Sequence, residues 1–168
     1  VGVAEVGGPF DLVTADLSFI SLGLVMDRLV DLAGVSGELV VLVKPQFEAG
    51  KREADKARGV IRDPDVWRDV LTAVAGHVQT AGTTVAGLIP SPLRGGSGNV
   101  EFLMWISPSD PAGGGPAGGS AVATAIEAAV ATVDGYVVVT GDLFGEFDAL
   151  DSLGGVVGSK LPGSQTAA

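Results

Sequence analysis

Short apolar runs alternate with longer amphipathic stretches along the chain, and this alternation predicts an α/β fold. The runs 10–14 and 38–43 are predicted to be buried strands. Two further strands are predicted at 83–89 and 100–106. Between the first two strands, apolar residues recur at helical spacing over 22–33, which predicts a helix packed against the sheet.

The helix boundaries carry local signals. Ser18 is a candidate N-cap for the first helix, and Gly34 is predicted to end it. Asp63 followed by Pro64 predicts a second helix start, since a capping carboxylate precedes proline at the first helical position. The connection 90–99 is rich in Pro, Gly and Ser, so the last two strands are predicted to pair antiparallel. The apolar stripe of the second helix comprises Val66, Val70, Leu71, Val74 and Val78.

Charged residues stand at one predicted edge of the sheet. Asp16 follows the first strand and Lys44 follows the second, where α/β proteins usually place their functional groups. Glu101 begins the last strand, and an antiparallel strand begins at that same edge. The three side chains are therefore predicted to converge. Each also has an ordinary explanation: a helix cap for Asp16, a solvated strand end for Lys44, and a solvent-facing strand position for Glu101.

Composition excludes several classes of site and of protein. Hydrophobic residues make up 46% of the chain and the mean hydropathy is +0.44, which supports a packed core. The absence of cysteine excludes disulfides, and His77 is the single histidine, so no metal site is predicted. No apolar run reaches the roughly 18 residues of a membrane-spanning helix, and no signal peptide is evident. The expected location is the cytoplasm, without membrane partners.

The net charge of -10 argues against a nucleic-acid surface over the whole molecule. Nine of the ten Lys and Arg residues nevertheless precede residue 95, and the charged loop 46–62 concentrates them. A local basic loop can bind phosphates, although a solvated loop is the ordinary alternative. Phe47 in this loop could stack on a base or anchor the loop in the core. The candidate RNA-binding residues are Lys51, Arg52, Lys56, Arg58 and Arg62.

Three divisions of the chain follow from composition. Residues 1–107 form the predicted α/β domain, and 108–120 form a Pro/Gly-rich linker. Residues 121–168 make an unassigned small α/β segment with a flexible tail. In this segment we predict an Ala-rich helix at 121–133 and a strand at 136–140.

Three segments resemble one protein family: FDLVTADLSFISL (10–22), LVVLVKPQFEAGK (39–51) and SPLRGGSGNVEFLMWI (91–106). Together, in this order and spacing, they are similar to the TlyA family of FtsJ-like RNA 2'-O-methyltransferases. The resemblance covers residues 10–107. Members of this family are often labelled hemolysins, but nothing in the sequence indicates membrane lysis.

The resemblance implies a partial Rossmann-like methyltransferase sheet, S-adenosylmethionine as cofactor, and ribosomal RNA or ribosomal subunits as substrate. The family's catalytic set is Lys-Asp-Lys-Glu, and its last three members match Asp16, Lys44 and Glu101. Lys44 would act as base or stabilise the developing oxyanion, oriented by the two carboxylates. Asp16, Leu17 and Ser18 would contact the cofactor.

The family's first lysine, its glycine-rich cofactor loop and its S4-type RNA-binding domain have no counterpart in this chain. The glycine-rich stretch 95–98 lacks the strand-to-helix setting of such a loop. The resemblance therefore implies a truncated catalytic half, and whether this half is active alone is left open. One alternative is a non-enzymatic remnant or an RNA- or protein-interaction module on the same fold; another is an acidic scaffold of unrelated function. The first strand would have an unpaired apolar edge, through which self-association is expected.

Overall fold

The computed structural model describes residues 3–50, 53, 56–108 and 119–133. The chain divides into two units after Val133, and every described residue belongs to the first. The strands are β1 (Leu12–Ala15), β2 (Glu38–Val43), β3 (Thr83–Pro90) and β4 (Phe102–Pro108). The α-helices are α1 (Met26–Ala33), α2 (Pro45–Glu48), α3 (Pro64–Thr80) and α4 (Gly119–Ala131), and 3-10 helices span Val3–Val6 and Leu22–Leu24.

The four strands form one mixed sheet in the order β1-β2-β4-β3. β1 and β2 are parallel, whereas β4 is antiparallel to both of its neighbours. The predicted α/β class and the antiparallel pairing of the last two strands are confirmed. β4 is the last of these strands along the chain, yet it lies in the interior of the sheet between β2 and β3.

One face of the sheet carries the core. Alternate residues of β2 and β4 are buried on this face, as expected for a sheet covered by helices on that side. Phe102 packs edge-on against Trp67 of α3, with ring centroids 6.1 Å apart. The opposite face is more open, since Leu12, Ile89 and Trp105 remain 55%, 49% and 44% exposed. The α3 residues buried in the core are Trp67, Val70, Leu71, Val74, Ala75 and Val78.

The start of the first helical segment differs from the prediction. Ser21, not Ser18, is the capping residue, because its Oγ accepts a hydrogen bond from the Gly23 N–H at 3.2 Å. A 3-10 turn follows, and α1 begins only at Met26. Ser18 is used elsewhere, as described below. Gly34 ends α1 as predicted, with a φ of 67° that favours glycine.

The start of α3 is confirmed, since the Asp63 carboxylate accepts from the Asp65 N–H at 3.0 Å and Pro64 occupies the first turn. The interpretation of 46–62 as loop throughout is wrong, because Gly50, Glu53 and Lys56 are helical and α2 occupies Pro45–Glu48. Proline accounts for the difference, because its fixed φ suits the first helical position and its missing N–H would be unpaired there anyway.

Helix α4 packs against α3 and β3. It buries Val122 and Ile126, and Glu127 accepts a hydrogen bond from Arg68 Nε at 3.0 Å. That hydrogen bond raises the pKa of Arg68 above its ordinary value. The helix thus lies in the same unit as the sheet, although the sequence analysis grouped it with the C-terminal segment. The predicted strand at 136–140 lies outside the described residues, as does most of the linker.

Within the described ranges, no helix combines the length and apolar character that crossing a membrane requires.

Candidate active site

An ion pair joins the carboxyl ends of β1 and β2. Lys44, directly after β2, places its Nζ against Asp16 Oδ1, directly after β1. The same Nζ donates a hydrogen bond to Ser18 Oγ at 3.3 Å. The Lys44 side chain is only 11% exposed, whereas that of Asp16 is 68% exposed. The Lys44 side chain is thus largely shielded from solvent, and the carboxylate that neutralises it stays accessible.

Glu101 lies at the same edge. It immediately precedes β4, whose Phe102 is the register partner of Val43 in β2. Glu101 is 7% exposed, and its Oε1 accepts a hydrogen bond from Gln46 Nε2 at 3.0 Å. The side-chain amide oxygen of Gln46, Oε1, is buried and has no hydrogen-bond partner among the described residues. Buried polar groups of this kind are rare in folded proteins and concentrate where a protein does chemistry or binds something.

Lys44, Gln46 and Glu101 line one open cleft of about 690 Å³. A volume of this size is in the range of small-molecule sites. The predicted convergence of charged groups is therefore seen in the geometry: Asp16 and Lys44 form a pair, and Lys44 and Glu101 share the cleft. Other residues lining it include Ser18, Phe19, Phe47, Arg58, Ser97 and Asn99.

Two phenylalanine rings form part of the cleft wall. The centroids of Phe19 and Phe47 are 4.8 Å apart, at an interplanar angle of 47°. Phe19 is 90% exposed and has a φ of +63°. Bulky residues rarely adopt this backbone conformation, which costs about 1–3 kcal/mol. Phe47 is half-buried in the wall and contacts Phe19, rather than anchoring its segment in the core.

Phe19 is a cleft residue that the sequence did not predict. A phenylalanine inside an apolar run gives no local sign that it is exposed, and its backbone conformation depends on the surrounding turn. Phe19 lies within the first of the three segments that resemble the family, residues 10–22, and this is the signal that could have drawn attention to it.

Asn99 holds the loop that precedes α3 against the start of β4. Its Oδ1 accepts from the Ile61 N–H at 2.9 Å, and its Nδ2 donates to the Gly59 carbonyl at 2.9 Å. This arrangement places Arg58 in the cleft wall. Of the other candidate RNA-binding residues, Lys56 pairs with Glu53 at 3.4 Å and Arg62 is exposed. Lys51 and Arg52 lie outside the described residues.

Gly95 leaves room for the Glu101 carboxylate. A Cβ added at Gly95 would lie 2.6 Å from Glu101 Oε1, the atom that accepts from Gln46. We predict that Gly95→Ala displaces this carboxylate and shifts the Gln46 side-chain amide signals in NMR spectra. The free energy of unfolding should change by less than about 1 kcal/mol, because a flexible side-chain end can move aside.

Gly96→Ala is the matched control, since a Cβ added there meets no atom within 4 Å. Equal spectral changes in the two variants would contradict the proposed contact.

No group of three or more His, Asp or Glu side chains in the described part of the chain could hold a metal ion.

The FtsJ-like methyltransferase family matches residues 3–107, which is more than half of the chain. The chain belongs to the FtsJ-like methyltransferase family. The resemblance noted from the three sequence segments is thereby confirmed.

Individual relatives agree. The chain is 46% identical over 101 residues to the 16S/23S rRNA (cytidine-2'-O)-methyltransferase TlyA of Mycobacterium tuberculosis, covering 60% of this chain and 37% of that protein. It is 42% identical over 96 residues to a candidate rRNA methyltransferase, YqxC, of Bacillus subtilis, covering 57% of this chain and 34% of that protein. The chain therefore spans about a third of the length of the curated relatives that it matches.

A solved structure has the same fold. The chain is similar to a candidate hemolysin from Streptococcus thermophilus with a TM-score of 0.69 and 33% sequence identity. The match covers 80% of this chain and 46% of that chain.

Proposed function

We propose that this chain carries the catalytic residues of an S-adenosylmethionine-dependent methyltransferase acting on the ribose 2'-hydroxyl of ribosomal RNA. The observation that carries the proposal is the largely buried Lys44 side chain, whose Nζ pairs with Asp16 in the same region as the buried Glu101. Relatives named as rRNA (cytidine-2'-O)-methyltransferases support the substrate class. An rRNA substrate implies action in the cytoplasm.

Methylation of a ribose 2'-hydroxyl requires a group that removes the hydroxyl proton or stabilises the charge left on the oxygen. A ribose hydroxyl is a poor nucleophile, so its proton must leave as its oxygen attacks a methyl group. Lys44 Nζ would accept this proton in its amine form, or stabilise the developing oxyanion in its ammonium form. In either case Asp16 holds Nζ in place, and Ser18 supplies a second acceptor for it. Glu101, held by its hydrogen bond from Gln46, would be the second carboxylate that orients Lys44.

The described residues fit part of the cofactor. S-adenosylmethionine supplies an electrophilic methyl group on a positively charged sulfur, and its amino group is also cationic. The exposed Asp16 carboxylate suits such cationic groups. The Leu17 side chain packs against the core, so its contribution would come from its backbone. The glycine-rich turn 95–98 joins antiparallel strands and does not form a cofactor loop.

The cleft has features that suit RNA. The exposed Phe19 ring next to Phe47 offers a surface on which a base can stack. Arg58 in the cleft wall offers a positive charge for a phosphate. Because the chain as a whole is acidic, we propose that RNA contact is confined to the cleft and to the basic residues of segment 46–62. These are Lys51, Arg52, Lys56, Arg58 and Arg62.

The test is calorimetric titration of S-adenosylmethionine into the purified chain, followed by methylation assays on ribosomal RNA with a radiolabelled methyl donor. Asp16→Ala should abolish saturable binding. Asp31→Ala, which removes an exposed carboxylate of α1, should retain it. No binding by a folded chain would count against catalysis by this polypeptide alone, and would favour an interaction module on the same fold.

A further inference from the structure

Two short segments, each of which contributes residues to the cleft wall, contact each other at three successive points. We name residues 16–22 the tip loop, since they follow β1, and residues 44–48 the proline turn, since they follow β2 and contain Pro45. Three sets of contacts join the two segments, and each set involves later residues of both segments than the one before it. Lys44 contacts Asp16 and Ser18, Phe47 contacts Phe19, and Glu48 contacts Ser21 and Leu22.

Glu48 makes the last of these contacts with both of its carboxylate oxygens. Its Oε2 accepts from Ser21 Oγ at 2.7 Å, and its Oε1 accepts from the Leu22 N–H at 2.8 Å. Ser21 Oγ itself accepts from the Gly23 N–H, so its own hydrogen is free to point to Glu48. Hydrogen bonds to an ionised carboxylate are stronger than neutral ones, and a two-pronged contact also fixes direction.

The tip loop needs such an attachment. Phe19, near its middle, has a left-handed backbone and an almost fully exposed ring, and neither stabilises the loop by itself. An unfavourable backbone conformation persists only where the surroundings determine it. Lys44 holds one end of the tip loop and Glu48 holds the other, so Phe19 is fixed between two attachments.

We propose that Glu48 is a positioning residue, which clamps the tip loop onto the proline turn and thereby sets both the Phe19 ring and the Asp16–Lys44 pair. The inference rests on the proposed function for its catalytic consequence, although the clamp itself can be tested without any reaction. Glu48 has no direct part in proton transfer, because its oxygens are occupied by Ser21 and Leu22.

The clamp is tested in the purified chain with Glu48→Ala, Glu48→Gln and the control Glu127→Gln. Glu127 is also a paired carboxylate, but it lies on α4 and contacts Arg68. Glu48→Ala should speed hydrogen exchange of the Leu22 amide at least about tenfold, because that amide loses its acceptor. The same variant should lose the nuclear Overhauser contact between the Phe19 and Phe47 rings.

Glu48→Gln should restore the contacts that Glu48→Ala removes. Its amide oxygen can still accept from the Leu22 N–H and its NH₂ can donate to Ser21 Oγ, so most of the exchange protection and the ring contact should return. Glu127→Gln should leave both signals unchanged. Urea unfolding of each variant separates local loosening from loss of the fold. A Glu48→Ala chain that keeps Leu22 protection and the ring contact overturns the proposal.

The catalytic consequence is measured with the same variants in the methylation assay. Glu48→Ala should lower kcat by up to about 100-fold, which is the effect of a small misplacement of reacting groups, while the KM for RNA changes less. Normal kcat in a variant that has lost the clamp would overturn the positioning role. A wild-type chain without methylation would instead count against the proposed function, and the exchange and ring-contact measurements would still decide whether Glu48 sets the loop.

Discussion

Replacing Lys44 with alanine is expected to lower the rate of ribose methylation by about 10²–10⁴-fold, the contribution typical of a positioned proton-transfer group. The variant removes the ammonium that contacts both Asp16 and Ser18. The measurement is single-turnover transfer of a radiolabelled methyl group to ribosomal RNA. The loss should appear in the rate of the transfer step rather than in RNA affinity, because in the proposed mechanism Lys44 would act on one hydroxyl.

Arg28→Ala is the matched control for Lys44→Ala. The Arg28 side chain is 80% exposed on α1 and pairs only with its helical neighbour Asp31 among the described residues, so its loss removes a positive charge away from the cleft. The Arg28 variant should methylate at the original rate. A Lys44→Ala chain that does the same would show that Lys44 is a structural ion-pair residue and would remove the main support for the proposed mechanism.

Replacing Phe102 with alanine is expected to reduce the free energy of unfolding by about 3–5 kcal/mol, because a fully buried aromatic side chain leaves a cavity. Phe102 has no exposed surface, contacts Trp67 of α3 and sits opposite Val43 in the sheet. Since small domains are stable by only about 5–15 kcal/mol, this single change should bring the chain close to unfolding. Urea denaturation followed by circular dichroism measures it.

Trp105→Ala provides the comparison on the same strand. Trp105 is a larger aromatic residue, but it lies on the open face of the sheet and is 44% exposed. Its removal should cost clearly less than that of Phe102. Equal losses would mean that the two faces of β4 are equally buried, contrary to the fold described above.

The sequence predicted those features whose signals are local. Asp63 and Pro64 mark a helix start by themselves, because a cap and a first-turn proline act within three residues. The antiparallel last pair followed from a connection without a helix. The placement of Asp16 and Lys44 at one edge followed from the general geometry of parallel strands.

The missed features depend on contacts between distant residues. Ser18 and Ser21 are equally good caps in isolation, but Ser18 Oγ accepts from Lys44 Nζ, 26 residues away, whereas Ser21 Oγ accepts from the Gly23 N–H. Glu48 gave no signal, because its partners Ser21 and Leu22 lie 27 and 26 residues earlier in the chain. The exposure of Phe19 depends on the conformation of its turn, which the apolar run around it does not reveal.

The interior position of β4 has a consequence for the order in which the chain can fold during synthesis. β1, β2 and β3 all leave the ribosome before β4, yet β2 and β3 make no ladder with each other and both pair with it. A nascent chain that ends before residue 102 therefore has two strands with unfilled hydrogen-bonding edges, which favours aggregation. Glu101 immediately precedes this same strand, so the cleft acquires Glu101 in the step that joins β2 to β3.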